Sequence, residues 1–286
     1  MRHALTPLIA ATLVIQAIAL PAVQDGVGIR PVDRTLGRDV AVDDLIARIA
    51  NVDVLLIGGT TDDAASRRVE ARLIDALAST RTGIALALEV FDRQAQEPFD
   101  HFQMGHLSEA EFLADVRRPS PDYARDYRAI VDAAIARQWP IVAAAAPRPI
   151  VEAVAADGLD VLERLPASER SLVAGRHACA DVHHPGARHL PGPHSNVAFC
   201  LESETIAESI AQAHAAGVIG GGTPLVIALV QDSRLGHLER FAGDVMQRLP
   251  GRTVLPLSIV AVPDVQAVSI APNDMAVPRF VVYVQP

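Results

Sequence analysis

The chain has 286 residues, half of them hydrophobic but only 4% aromatic, and a formal net charge of −9. Its basic residues are all arginine and form no block, which excludes nucleic acid as a partner class. The apolar mass, mostly Ala, Val, Leu and Ile, suffices for one sizeable core, and the length suits a single large domain.

Residues 1–22 read as an export signal. Arg2 and the amino terminus supply positive charge, and Leu8 to Leu20 is an apolar run interrupted only by Thr12 and Gln16. Ala17-Ile18-Ala19 offers a small-x-small cleavage site, with Ala22 as a second candidate. The run is shorter than the ~20 apolar residues that span a bilayer, and Pro21 breaks it, so a signal is favoured over an anchor. No cysteine stands there to carry a lipid, and no later segment is apolar enough to span. The mature chain is therefore expected in the periplasm or outside the cell. Residues 23–50 read as an N-terminal extension and 51–286 as the domain.

Within that domain short apolar runs alternate with helical patterns. Val52–Ile57 reads as a buried strand ending at Gly58-Gly59, and Thr61, Asp62 and Asp63 offer caps to a helix carrying Val69, Leu73 and Leu77. Ile84–Val90 is a second strand, and Ser108-Glu109-Ala110-Glu111 is a capping box. Tyr123 to Gln138 is amphipathic and reads as one helix, stopped by Trp139-Pro140 before strand Ile141–Ala145. Further helices are expected near Pro149–Ala156, Ser168–Ala174, Leu201–Ala216 and Leu235–Leu249. Strands are expected at Leu225–Val230, Val254–Val260 and Phe280–Val284. Nearly unbroken apolar strands separated by helices predict an α/β fold, a mainly parallel β-sheet with helices on both faces. Ligands of such sheets sit beyond the carboxyl ends of the strands, which directs attention to Gly58–Asp63, Glu89–Asp92, Ala145–Arg148 and Gln231–Arg234.

Residues 175–196 form a loop rich in Gly, Pro and His without periodicity. It holds His177, His183, His184, His189 and His194, five of the ten histidines. Imidazole is the commonest metal ligand and an axial ligand of many haems, so the loop is a candidate for a divalent metal ion or a haem iron. Its spacing matches no zinc template, and the bland alternative is a solvated loop. Cys179 lies within it and Cys200 just beyond it; an even count in an oxidising compartment points to a disulfide, the alternative being two separate thiols.

An ordered set of short motifs carries a resemblance: Val54-Leu55-Leu56-Ile57-Gly58, Leu86-Ala87-Leu88-Glu89-Val90-Phe91, Leu107 to Leu113, Asp126 to Ile130, Ala144-Ala145-Ala146-Pro147-Arg148, and Glu204-Thr205-Ile206-Ala207-Glu208. From about Val52 to Val260 the chain resembles the ChaN-like haem-binding uptake proteins, distantly similar to the Tiki metalloproteases. The resemblance implies an exported bacterial protein of haem or iron acquisition, with haem as ligand, uptake components as partners and a homodimer as one assembly. The chain departs from the family at its chemical positions. The first motif, Gly-Glu-x-His-Asp in the family, is Gly58-Gly59-Thr60-Thr61-Asp62 here. Ala145 replaces an Asn, Ser203 an acidic residue, and Gln231-Asp232-Ser233-Arg234 the late Gly-Ser-Gly-His. The histidines and carboxylates of those positions are thus missing, and Glu89 alone does not make a metal site or an oriented general base. Binding rather than hydrolysis is expected; the rival is a metal-dependent hydrolase using Glu89 and loop histidines, and a third reading is a ligand-free scaffold with protein partners. Tyr123 and Tyr127 share a helix face and offer phenolic ligands to ferric haem or, alternatively, core packing. Glu89 and Arg148 line the same strand ends, as ligand contacts or as an ion pair with each other.

Overall fold

The computed structural model describes residues 28–59, 63–116, 123–179, 191–230, 238–270 and 280–285. The export signal and most of the histidine loop lie outside them.

Eight strands form one sheet: β1 (Gly28–Asp33), β2 (Arg38–Asp39), β3 (Val54–Gly59), β4 (Ile84–Asp92), β5 (Ile141–Ala145), β6 (Leu225–Val230), β7 (Val254–Ala261) and β8 (Phe280–Gln285). Their order is β2-β1-β8-β7-β3-β6-β4-β5. Every pairing from β8 to β5 is parallel; β1 pairs antiparallel with β8 and with β2. β3, β4 and β6 are buried along their whole length, as the unbroken apolar runs require of central strands covered twice. The fold is the expected α/β class.

Eleven helices are described: α1 (Val42–Ile49), α2 (Ala64–Thr80), α3 (Gln96–Gln103), α4 (Glu109–Asp115), α5 (Tyr123–Asp126), α6 (Arg128–Ala136), α7 (Arg148–Asp157), α8 (Val161–Arg164), α9 (Ala167–Arg170), α10 (Ser195–Ile219) and α11 (Leu238–Arg248). Strand alternation divides the core in two. Leu55, Ile57, Leu86 and Leu88 point to the face covered by α1, α2, α3, α4 and α6, whereas Val54, Leu56, Ala85 and Ala87 meet α10 and α11. Small Ala side chains on the second face let the long helix α10 lie close to the sheet.

Two local expectations change. Residues 28–50, read as an extension ahead of the domain, form β1, β2 and α1; Val32 is fully buried, and β1 pairs with β8 from Gly28↔Gln285 to Asp33↔Phe280. They belong to the sheet and its core. The single helix expected from Tyr123 to Gln138 is instead α5 and α6, broken at Tyr127, whose φ of −123° leaves the helical region.

Helix α10 sets the layout of the functional end. Its 25 residues span about 37 Å at 1.5 Å per residue. Ser209 Oγ donates to the Ala144 carbonyl at the end of β5, 3.0 Å away, while His214 Nε2 lies 3.5 Å from Asp53 at the start of β3. The first third of α10 therefore stands beyond the carboxyl ends of the strands. There Ala198 and Leu201 pack with Ile150, Val151 and Val154 of α7 and with Val161 and Leu162 of α8, a small core separate from the two on the sheet faces.

Candidate functional site

At the carboxyl end of β4 the register with β5 shifts between Leu88 and Asp92, turning the last residues out of the regular ladder. Arg93 follows and reaches across to α10. Its Nε donates to Ser209 Oγ (2.9 Å), its Nη2 to the Thr205 carbonyl (3.0 Å), and its Nη1 pairs with Glu208 (2.9 Å). Glu204, one turn earlier, pairs with Arg248 of α11 at 2.5 Å. Thr205 Oγ1 accepts from the Ala174 backbone and donates to the Leu201 carbonyl. The Glu204-Thr205 motif thus fastens α10 to its surroundings.

Arg148 does not face Glu89. It is exposed at the first position of α7, with its Nε 2.5 Å from Glu152 one turn on, as helix spacing favours. Glu89 is buried, 4% exposed, and close enough to Tyr127 to act on its ionisation. Ala145 and Ser203 are buried as well, and Ser203 Oγ donates to the Phe199 carbonyl within its own helix. Of the first motif, the substituted Gly59 ends β3 and is buried, whereas Thr60, the substituted Thr61 and the retained Asp62, like Gln231 to Arg234, lie outside the described residues. Asp63 caps α2 through the Ser66 amide.

Beside Glu89 lies a buried charged group. Arg67 of α2 pairs with Glu70 at 2.5 Å and places its guanidinium 5.1 Å from the Tyr127 ring centre. Burial opposes its charge, but Glu70, Tyr127 and Asp126 outweigh that and hold the guanidinium pKa above its usual value. Tyr123, 2% exposed, stacks edge-on against Phe91 and lies near Phe112. Burial, aided by Glu109 and Asp132, pushes its hydroxyl pKa well above the ordinary tyrosine value; burial does the same to Tyr127, reinforced by Glu70, Glu89 and Asp126 against the opposing Arg67. A phenol must lose its proton to ligate ferric iron. Both tyrosines, offered by the sequence as haem ligands, are placed where that loss is disfavoured and their rings belong to the core.

The structure joins Cys179 to Cys200 with Cα atoms 5.8 Å apart. This bridge ties the start of the histidine segment to the second turn of α10. The far end of the segment is fastened at α7: the His194 amide donates to the Ala155 carbonyl, and its ring lies over Gly158. A side chain at Gly192 (φ +134°) would place its Cβ 2.2 Å from the Ala155 carbonyl oxygen, so this close approach requires glycine. His194 is exposed at the tip of α10. His183, His184 and His189 lie outside the described residues, as does the side chain of His177.

Among the described residues no three His, Cys, Asp or Glu side chains converge on a metal position. A cleft of about 700 Å³ does open beyond β4, its lining including Asp92, Arg93, Glu97, Asp100, His101, Met104 and Asp115. The role of Arg93 is not marked in the sequence, because its partners on α10 are remote in the chain. No helix among the described residues is long and apolar enough to cross a membrane.

Comparison with known proteins agrees with this architecture. Residues 45–228, well over half of the chain, match the family described as haem-binding uptake, Tiki superfamily, ChaN. A solved structure of ChaN from Campylobacter jejuni, described as showing cofacial haem binding, superposes with a TM-score of 0.60 at 12% identity, covering 90% of this chain and 97% of that one. At that identity the likeness establishes the fold. The C-terminal region of Pasteurella multocida toxin gives a TM-score of 0.44 at 12% identity, covering 85% of this chain and 27% of that one, too loose a likeness to bear on chemistry. No curated protein sequence matches the chain.

Proposed function

The chain belongs to the ChaN-like haem-binding uptake family of the Tiki superfamily, and on that premise we propose that it is an exported haem-binding protein. Its iron ligand comes from the histidine segment rather than from the strand ends, and the strand ends perform no hydrolysis. Haem here is cargo in iron acquisition. What carries the reading is the contrast between ligands: Tyr123 and Tyr127 are buried in the core, whereas His194 is exposed at the stem of a disulfide-closed segment.

Three further observations support it. A structural disulfide belongs in an oxidising compartment, in keeping with the apolar leader at residues 1–22. The acidic cleft beyond β4 would repel the two propionates of a porphyrin. The family-motif side chains Glu204 and Arg148 are engaged in ion pairs with Arg248 and Glu152.

Hemin titration tests the proposal. The parent protein is expected to give a saturable Soret shift at a 1:1 ratio. Replacement of His177, His183, His184, His189 and His194 by Ala abolishes it, and Tyr123→Phe and Tyr127→Phe leave it in place. No saturable shift in the parent, or an undiminished shift in the histidine variant, sinks the reading.

A further inference from the structure

The geometry points to a second metal site, independent of haem and of the histidine segment: a single copper ion, as Cu(I), held by His101, His106 and Met104 at the carboxyl end of α3.

The backbone brings the two imidazoles together. Helix α3 ends in a Schellman turn, with the Gly105 amide donating to the Phe102 carbonyl (3.0 Å) and the His106 amide to the His101 carbonyl (2.8 Å). Gly105 supplies the left-handed residue, φ +75°, that this turn needs. In such a turn the side chains at these two outer positions meet, usually as an apolar contact. Here both positions are histidine, and their ring centres are 5.9 Å apart with planes inclined by 56°. Met104 lies between them in sequence, is 59% exposed, and lines the same cleft as His101.

The spacing suits a shared metal. With a metal–nitrogen bond of ~2.0–2.1 Å, an imidazole centre stands about 3.2 Å from the ion, so two centres on one ion are at most about 6.4 Å apart. A separation of 5.9 Å corresponds to a nitrogen–metal–nitrogen angle of about 135°, wider than the tetrahedral angle that zinc prefers. Two- and three-coordinate Cu(I) takes such angles, and a thioether is a soft ligand that selects it. The unbranched Met104 side chain, fixed at its Cα by the turn, has the rotatable bonds to supply the third ligand.

The setting favours a cation. The last carbonyls of α3 present the negative end of the helix dipole. The cleft beside His101 carries Asp92, Glu97, Asp100 and Asp115, and its Arg93 is engaged with Glu208. This potential, which repels a porphyrin's propionates, attracts a metal ion.

Anaerobic titration of the full chain with Cu(I), in competition with bicinchoninate, tests the site. The parent should bind one equivalent that His101→Ala/His106→Ala no longer binds, while His194→Ala retains it. Met104→Leu should weaken binding about tenfold. Gly105→Ala meets no steric obstacle, as no atom lies within 4 Å of its Cβ, yet it disfavours the turn and should weaken binding with both imidazoles present. All five positions lie on the surface, and circular dichroism of each variant checks that the fold is kept. The same copper stoichiometry and competition curve in the parent and the double-histidine variant overturns the site. Unchanged affinity in Gly105→Ala overturns its preorganisation by the turn.

Discussion

Removing the Cys179–Cys200 bridge should destabilise the fold by a calculable amount. The two residues are 21 apart in sequence. Closing a loop of that length lowers the entropy of the unfolded chain by about 11 cal/mol/K, or about 3 kcal/mol at 25 °C. Unfolding entropy of about 2 cal/mol/K per residue, taken over the chain, converts this to a fall in Tm of about 5 °C. Cys179→Ser/Cys200→Ser and the dithiothreitol-reduced parent should both melt lower by that amount, by calorimetry or far-ultraviolet dichroism. Thiol titration of the denatured parent should find none before reduction and two after. The bridge also joins the histidine segment to α10, so both treatments should weaken hemin binding by more than the small change expected in the sheet. Two free thiols before reduction, or melting curves that coincide within about 1 °C, would overturn this account of the bridge.

Two further predictions concern the strand ends. Tyr123 and Tyr127 have hydroxyl pKa values raised in the folded state, so above about pH 10 the unfolded chain loses protons that the folded chain keeps. The stability they contribute is complete below that pH and is lost as pH rises toward their folded values, at about 1.4 kcal/mol per pH unit for each tyrosine. Urea unfolding from pH 9 to 12 should show this fall, and Tyr123→Phe/Tyr127→Phe should flatten it; equal slopes in both proteins count against the assignment. Arg93→Met removes three interactions with α10 and should cost about 2–4 kcal/mol. A double-mutant cycle with Glu208→Gln should show a coupling above about 0.5 kcal/mol, whereas additivity would mean that the pair does not act as a unit.

The central sheet was legible because burial on both faces leaves an unbroken apolar run, as in Leu225–Val230, and a bounded run of that length and β-branched content seldom arises in any other setting. β1 was not. Gly28-Ile29-Arg30-Pro31-Val32-Asp33 mixes charge and proline, and becomes a strand only by pairing with β8 at the opposite end of the chain. The break at Tyr127 was hidden for a related reason: the periodicity from Tyr123 to Gln138 is helical, but the ring of Tyr127 is packed against Arg67 from α2. The capping box at Ser108 and Glu111 was legible because both partners lie within one turn. The same distinction governs the site. The two cysteines and the histidine tract stand out in composition, whereas the pairing of Arg93 with residues 112 to 116 positions away has no local signature.

This pattern of pairing bears on where a porphyrin can enter. In an open parallel sheet the crevice beyond the strands is the default ligand site. Among the described residues α7 and the projecting third of α10 cover part of that end, and three ion pairs stand there: Arg67 with Glu70, Arg93 with Glu208, Glu204 with Arg248. A dianionic ligand that drew on the Arg67 guanidinium would displace Glu70, the partner in the pair buried on both sides. Breaking a buried pair costs about 3–5 kcal/mol, which at 1.4 kcal/mol per tenfold is a loss of about two to four orders of magnitude in affinity. The exposed imidazole of His194 carries no comparable penalty, since no buried ion pair has to open for it to reach an iron. Gly59, Thr61 and Arg234, which stand where the family has a carboxylate and two histidines, together with these ion pairs, therefore support the proposal that haem is held by the disulfide-closed segment rather than at the strand ends.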